Sequence, residues 1–311
     1  MKKGLVIKST GSWYSVHSDD GIICFCKIRG KLRMSDIRST NPIAVGDYVR
    51  FEPSENEDTG MIIDIYERTN YIIRKSPNLS KESHIIAANI DQACLIVTVK
   101  NPVTTTTFID RFLVSAEAYR IPVKIIFNKI DLYNEADFAL LEETIAIYSK
   151  IGYECFKVSA AKEINIEVIR ELLINKVSVL SGHSGVGKST FINLLDPGMK
   201  AKTANISESH HRGKHTTAHS EMYELKSGGY IIDTPGIKGF GVIDMEKEEI
   251  SHYFPEIFKT ATKCQYYNCT HTHEPSCAVK QAVVNGEISE SRYISYISLI
   301  DGENNKYRKS T

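Results

Sequence analysis

Eight consecutive residues, Gly182-His183-Ser184-Gly185-Val186-Gly187-Lys188-Ser189, carry the spacing G-x-x-x-x-G-K-[ST]. The chemistry this pattern serves is phosphate binding. Its glycines let the backbone wrap closely, so that successive N–H groups point at phosphate oxygens. Lys188 adds a point charge, and the helix that follows adds the positive end of its dipole. The Ser189 hydroxyl is placed to ligate Mg²⁺, and Thr190 follows it in the nucleotide-binding set. Val177-Ser178-Val179-Leu180 reads as a buried strand feeding the loop, and Thr190 to Leu195 as the start of a helix stopped near Pro197.

Upstream stands Asn128-Lys129-Ile130-Asp131, an N-K-x-D match after the strand-like Pro122 to Phe127. A carboxylate at Asp131 can accept from the ring N–H and exocyclic amine of guanine. Adenine lacks that donor pair, so the same carboxylate rejects it. The Lys129 stem can lie against a base, and Asn128 can tie loops together. Ser159-Ala160, after a further strand, matches the short loop that backs the base. These residues argue against the alternative of a P-loop ATPase.

Downstream, Asp233-Thr234-Pro235-Gly236 fits D-x-x-G after a strand. Asp233 is the candidate Mg²⁺ partner, and the Gly236 N–H the sensor of the γ-phosphate. Between the two phosphate motifs lies a polar stretch, Ala201 to Ser220, predicted to be mobile without a ligand. Thr216 or Thr217 within it is the candidate switch threonine for Mg²⁺; spacing does not choose between them. His210, His211 and His219 read as solvated loop residues.

A second chemistry sits near the C-terminus. Cys264, Cys269 and Cys277 fall with His271 and His273 inside fourteen residues. In a reducing compartment such a cluster favours a metal over disulfides, and three thiolates with one imidazole form a closed structural zinc shell. Cys24, Cys26, Cys94 and Cys155 lie in apolar runs and read as small buried hydrophobes.

The elements that must position these groups follow in order. Residues 1 to about 70 are short strands separated by Gly, Ser, Asp and Asn, the pattern of a small OB-type barrel. Such barrels often bind nucleic acid, and the lysines and arginines from Lys27 to Arg38 suit contact with phosphates or a solvated edge equally. Tyr71 to His84 reads as a linker. An α/β alternation follows, with strands at Ala93–Val99, Pro122–Phe127 and Tyr153–Val158 and helices beginning near Phe108 and ending near Leu173. One helix carries Phe138, Leu141, Ile145 and Tyr148 on its packed face. After the cysteines come a short helix over Ala278–Val284 and a second over Ser289–Ile300, with Ser289 or Ser291 as cap. The 311 residues suffice for three domains, expected at 1–70, 71–245 and 246–311. Net charge is zero, so global charge points to neither nucleic acid nor membrane. No apolar run spans a bilayer, and the N-terminus lacks a signal-peptide core, so a cytoplasmic location is expected. Nothing in the sequence calls for more than a monomer.

Motif order is the informative point. A Ras-like chain runs phosphate loop, switches, N-K-x-D, S-A. Here N-K-x-D and S-A come first, which is a circular permutation of the same sheet. The permuted order, the Gly182–Ser189 loop, Gly213-Lys214-His215-Thr216-Thr217 and Asp233-Thr234-Pro235-Gly236 resemble the bacterial RsgA (YjeQ/YloQ) family of small-ribosomal-subunit-dependent GTPases. The resemblance runs nearly the whole length. It implies an α/β P-loop GTPase of permuted topology, an N-terminal barrel on ribosomal RNA and a C-terminal helical zinc segment. It further implies GTP hydrolysis to GDP, stimulated by the small ribosomal subunit during its late maturation. The zinc spacing C-x₄-C-x-H-x₅-C matches the family pattern and takes Cys264, Cys269, His271 and Cys277, leaving His273 as a neighbour.

Two departures from Ras chemistry stand out. Ile237 follows D-x-x-G where Ras-type enzymes place the glutamine that orients water, so intrinsic hydrolysis is expected to be slow. The resemblance makes His215 the candidate catalytic residue; His183 is a second, although a solvent-facing loop role suits it better. Gly185 stands where potassium-activated relatives carry asparagine, so no potassium requirement is expected. The competing reading is a nucleotide-gated RNA-binding module with negligible turnover.

Overall fold

Alternation decides the first part of the chain. Strands β1 (Lys2–Ser9), β2 (Tyr14–Ser18), β3 (Ile23–Ile28), β4 (Tyr48–Pro53) and β5 (Thr59–Ile65) are laid down in turn. On β3 the side chains of Cys24 and Cys26 point inward while Ile23 and Phe25 face out, the period of two that a half-buried strand requires. The order is β1-β2-β3-β5-β4, closed by pairing of β1 with β4. Only the β3–β5 pair is parallel. Val6, Tyr14, Val16, Val49, Phe51 and Ile62 fill the interior with the two cysteines. This is a five-stranded OB-like barrel, as the strand spacing predicts. The computed structural model describes residues 1–10, 12–29, 42–54, 58–75, 83–196, 221–233 and 245–301. Most of the basic Lys27–Arg38 run, the Ala201–Ser220 stretch, Pro197, Gly236 and Ile237 therefore lie outside the described residues.

The expected linker at Tyr71–His84 is corrected. Strands β6 (Tyr71–Lys75) and β7 (Ser83–Ala88) pair antiparallel as a two-stranded sheet. Polar composition concealed them; what holds them is tertiary. Ile72 and Ala87 enter the main core, and Val45 bridges Ala87 across from the barrel. Arg68 clamps the barrel side of this junction. Its Nε and Nη2 both donate to the buried Asp47 carboxylate at 2.6 Å, and Nη2 also reaches the Pro42 carbonyl.

The second sheet contains β8 (Gln92–Val97), β9 (Val123–Phe127), β10 (Glu154–Lys157), β11 (Val177–Ser181), β12 (Glu221–Glu224) and β13 (Tyr230–Asp233). Spatial order is β10-β9-β8-β11-β13-β12, all parallel except β12. The strand feeding the phosphate loop, fourth in the chain, is thus central, as the permuted motif order requires. On β8, Ala93, Leu95 and Val97 enter one apolar layer and Cys94 and Ile96 the other, the mark of a sheet covered on both faces. Helices α1 (Thr106–Ala118), α2 (Glu135–Lys150), α3 (Ile166–Leu173) and α4 (Lys188–Leu195) are interleaved with these strands. A capping box starts α2: Asn134 Oδ1 accepts from the Asp137 N–H, and Asp137 accepts from the Asn134 N–H. On its packed face Leu141 and Tyr148 are buried, whereas Phe138 is still 37 % exposed. Helix α4 begins two residues earlier than periodicity predicts, because the left-handed Gly187 caps it. Cys155, on the edge strand β10, is only partly buried rather than a core residue.

The barrel joins this sheet directly. Lys8 of β1 pairs with Glu221 of β12 through the backbone and by an ion pair of 3.2 Å. His17 Nδ1 and the Tyr230 hydroxyl lie 3.0 Å apart across the same seam.

Beyond residue 245, a 3₁₀ turn (Ile250–Tyr253) leads into α5 (Pro255–Ala261), α6 (Ala278–Val284) and α7 (Glu290–Ile300). Ser289 is the N-cap of α7, but its hydroxyl pairs with that of Ser291 rather than with the helix backbone. These helices pack on α1, whose Val114 belongs to their apolar cluster. Arg292 of α7, 1 % exposed, is the polar rivet of that interface. It donates to Asp110 of α1 at 2.8 Å and forks onto Glu256 of α5 at 2.7 and 3.1 Å. Its guanidinium lies over the Phe254 ring, and the Tyr148 hydroxyl shares Asp110. No helix among the described residues is long and apolar enough to cross a membrane.

Candidate functional site

Parallel strands deliver their following loops to one end of the sheet, which is where α/β folds bind ligands. Three of the sequence motifs meet there. Asn128 follows β9, Ser159 and Ala160 follow β10, and the Gly182–Ser189 loop joins β11 to α4. Asn128 is 2 % exposed and binds two loops at once. Its Nδ2 donates to the Val186 carbonyl at 2.8 Å, and its Oδ1 accepts from the Ala160 N–H at 3.0 Å. Lys129, left-handed at φ 66°, extends its ammonium to the carbonyls of Asn101 and Gly185, both at 2.6 Å. Its stem therefore forms a wall between the base loop and the phosphate loop. Asp131 accepts from the Ser159 hydroxyl, which aims one carboxylate oxygen and ties the two base motifs together.

The phosphate loop has the close approaches its glycines predict. A side chain on Gly182 would meet the Ile96 carbonyl oxygen at 2.2 Å, and one on Gly187 would meet Asn128 Nδ2 at 2.5 Å. Val186 is buried, while Ser184, Gly185, Ser189 and Thr190 are exposed. Lys188 turns back onto the loop and donates to the Gly182 and His183 carbonyls. Asp233 ends β13, next to β11. His215, Thr216, Thr217 and Gly236 lie outside the described residues.

His183 departs from expectation. It is half-buried, and its ring stacks on Phe108 at 3.6 Å between centroids and 32° between planes. Burial, and then the Lys188 ammonium, hold its imidazole below the ordinary histidine range. Tyr133 was not legible from sequence either. Its hydroxyl donates to the Asn128 carbonyl at 2.7 Å and accepts from the Val99 N–H at 2.9 Å. Burial raises its pKa, so the hydroxyl keeps the proton that this double role needs. A tyrosine five residues past a motif asparagine carries no signal of its own.

The second cluster is local. Ligand atoms of Cys264, Cys269, His271 and Cys277 all lie within 4.8 Å of one another. Cys264 Sγ is 3.9 Å from Cys277 Sγ, and His271 Nδ1 is 3.6 and 3.4 Å from these two sulfurs. A tetrahedral zinc with Zn–S ~2.3 Å and Zn–N ~2.1 Å sets edges of roughly 3.8 Å (S–S) and roughly 3.6 Å (S–N). The donor set fits a zinc site. Burial and the adjacent thiols push Cys269 up to about 12, a crowding that a cation relieves. Burial also lowers His271 toward the neutral form that ligates. His273 is exposed and pairs with Thr272, outside the cluster. Glu274 braces the knuckle: it accepts from the Thr270 N–H and hydroxyl and from the Thr272 N–H. Burial opposes its ionisation, but these bonds prevail and bring it to about 2. Tyr293 and Tyr296 of α7 donate to the His271 and Thr270 carbonyls, each at 2.7 Å.

Fold and site together define a circularly permuted P-loop GTPase with an OB-like barrel and a Cys₃His knuckle. Comparison with known proteins agrees. The RsgA GTPase family model matches residues 65–243, and the RsgA N-terminal domain model matches residues 3–62. The chain is 60 % identical over 307 residues to the small ribosomal subunit biogenesis GTPase RsgA of Bacteroides fragilis, covering 98 % of this chain and 99 % of that one. It is 54 % identical to the Flavobacterium psychrophilum protein of that name, over 98 % of this chain and 94 % of that one. Among solved structures, YjeQ of Thermotoga maritima superposes with TM-score 0.80 at 35 % identity, covering 98 % and 99 % of the two chains. YloQ, described as a circularly permuted GTPase, gives TM-score 0.76 at 32 % identity over 100 % and 97 %. The chain belongs to the RsgA GTPase family.

Proposed function

We propose that this protein hydrolyses GTP as a late maturation factor of the small ribosomal subunit, and that the subunit stimulates its turnover. The observation that carries the nucleotide part is Asn128, which bridges the phosphate loop and the base-backing loop with one amide. Guanine would lie against the Lys129 stem, with Asp131 accepting from its ring N–H and amine. Backbone N–H groups of Gly182–Ser189 would hold the phosphates, and Lys188 would leave its loop carbonyls to reach them. Mg²⁺ brought with the nucleotide would neutralise phosphate charge, held by Ser189, Asp233 and Thr216 or Thr217. The Gly236 N–H would meet the γ-phosphate, and His215 would orient the attacking water in place of the glutamine that Ile237 replaces.

Three functional units are proposed, at 1–70, 71–245 and 246–311. RNA contact by the barrel is supported by an exposed aromatic face. Phe25 and Trp13 are 52 % and 42 % exposed, and the Lys27 ammonium lies 4.3 Å from the Trp13 ring centre. One structural zinc in the knuckle, a monomeric state and a cytoplasmic location complete the reading. Phosphate release from GTP and ATP, measured with and without small ribosomal subunits, tests it. Selective, subunit-stimulated GTP cleavage that His215→Ala abolishes is expected. Equal use of ATP would remove the guanine site, and absence of stimulation would remove the ribosomal role.

A further inference from the structure

The phosphate loop is held unevenly. Its second half is fixed from outside: Asn128 holds the Val186 carbonyl, Lys129 holds the Gly185 carbonyl, and Val186 is buried. Its first half, Gly182 to Ser184, is held among the described residues by two kinds of side-chain contact. One is Lys188, whose ammonium bonds the Gly182 and His183 carbonyls. That ammonium is the group that must turn to the phosphates when nucleotide binds. The other is the His183 ring on Phe108, which involves no phosphate-binding group.

Phe108 is itself well founded. It is the third residue of α1, and its N–H donates to the capping Thr105 hydroxyl at 3.3 Å. Two residues on, Asp110 anchors the same helix through Arg292 and Tyr148. The ring thus projects from a fixed helix start onto a loop that contains three left-handed glycines, Gly182, Gly185 and Gly187. Such a loop loses much conformational freedom when ordered, so a contact that orders it in advance improves binding.

We propose that His183 and Phe108 are a positioning pair for the nucleotide: their stack holds the first half of the phosphate loop in register once Lys188 has moved to the phosphates. Neither residue performs a chemical step. The role is that of an aromatic face, so it is distinct from water positioning by an imidazole. The proposal rests on Gly182–Ser189 being the phosphate site.

The test is equilibrium titration of the zinc-loaded full-length protein with fluorescent GDP, together with steady-state GTP hydrolysis. His183→Ala and Phe108→Ala are each expected to weaken GDP binding and raise KM by about 2- to 10-fold, the range of an aromatic pair, with kcat at saturation little changed. His183→Phe restores most of the lost affinity. The double alanine variant is no weaker than the worse single one, because both remove the same contact. Melting temperature and zinc content check that each variant is folded. Additive losses, or unaltered GDP affinity in both single variants, would overturn the proposal. So would a His183→Phe protein with normal KM and collapsed kcat, which would make the imidazole catalytic. Lys188→Ala is the separate arm: undiminished GDP binding there would instead defeat the assignment of the phosphate site.

Discussion

The nucleotide site and the zinc knuckle are built on opposite principles. The knuckle takes its four candidate ligands from Cys264–Cys277, and its brace, Glu274, lies between the last two of them. The nucleotide site takes its groups from loops far apart in sequence; Asn128 and the Val186 carbonyl it holds are 58 residues apart. A local site needs a metal to offset the entropy of closing its small loops, whereas a distributed one borrows order from the sheet that delivers it. Removing one component should therefore destroy the knuckle and only weaken the nucleotide site.

Cys277→Ser is the strongest way to break that contrast. Structural zinc contributes on the order of 10 kcal/mol to the fold it closes. Bound zinc, measured per chain by metal analysis, is expected to fall to near zero. GDP affinity should fall far less; loss of both together would mean that the two sites are one cooperative unit. Next in size is Arg292→Met, in the interface between them. It strands the buried Asp110 and Glu256 carboxylates that Arg292 now pairs. Such a change costs about 3–5 kcal/mol, read as a lower denaturation midpoint. An unchanged midpoint would show that the interface carries little stability.

Asn128→Ala probes the distributed site. It leaves the Val186 carbonyl and the Ala160 N–H without this partner in a buried setting. Two such bonds amount to about 2–3 kcal/mol, or roughly 30- to 150-fold in GDP affinity by titration. A loss under threefold would deny Asn128 its bridging role. Tyr133→Phe is smaller. It removes one hydroxyl that serves Val99 and the Asn128 carbonyl, at about 1–2 kcal/mol. Because it acts through Asn128, the double variant should lose less than the sum of the two.

The same contrast explains what the sequence made legible. All four members of the Cys₃His cluster were readable, because fourteen residues hold the whole spacing and its chemistry. The motifs of the nucleotide site were readable too, and their order correctly implied the permuted sheet. The supports were not. Phe108 touches His183, 75 residues away, and Tyr133 bonds Val99 and Asn128, 34 and 5 residues away, and nothing in their own neighbourhood marks them. Arg292 has no mark of its own in the sequence, because its partner Asp110 is 182 residues distant. The β6–β7 pair was missed because its strands are stabilised by the barrel and the main core, not by their own composition. Long-range partners decide such elements, and no window of the chain contains them.

The smallest effect compares two carboxylates. Glu274 is depressed by bonds from residues within four positions, Asp137 first by Lys100 across 37 positions and then by the Asn134 N–H of the α2 cap. For Asp137 the sign is fixed by that depression. Its folded pKa lies below its unfolded one, so its contribution is complete above the unfolded value and fades as pH falls through the folded value. Asp137→Asn removes the ion pair with Lys100 but keeps an oxygen able to accept from the Asn134 N–H. The difference in melting temperature between wild type and Asp137→Asn should be small at pH 7 and shrink as pH falls below the ordinary carboxylate range, as protonation makes the two side chains alike. A difference that grew on acidification would mean that the carboxylate is destabilising in the folded chain, and that the junction of Lys100 with α2 is held by the cap alone.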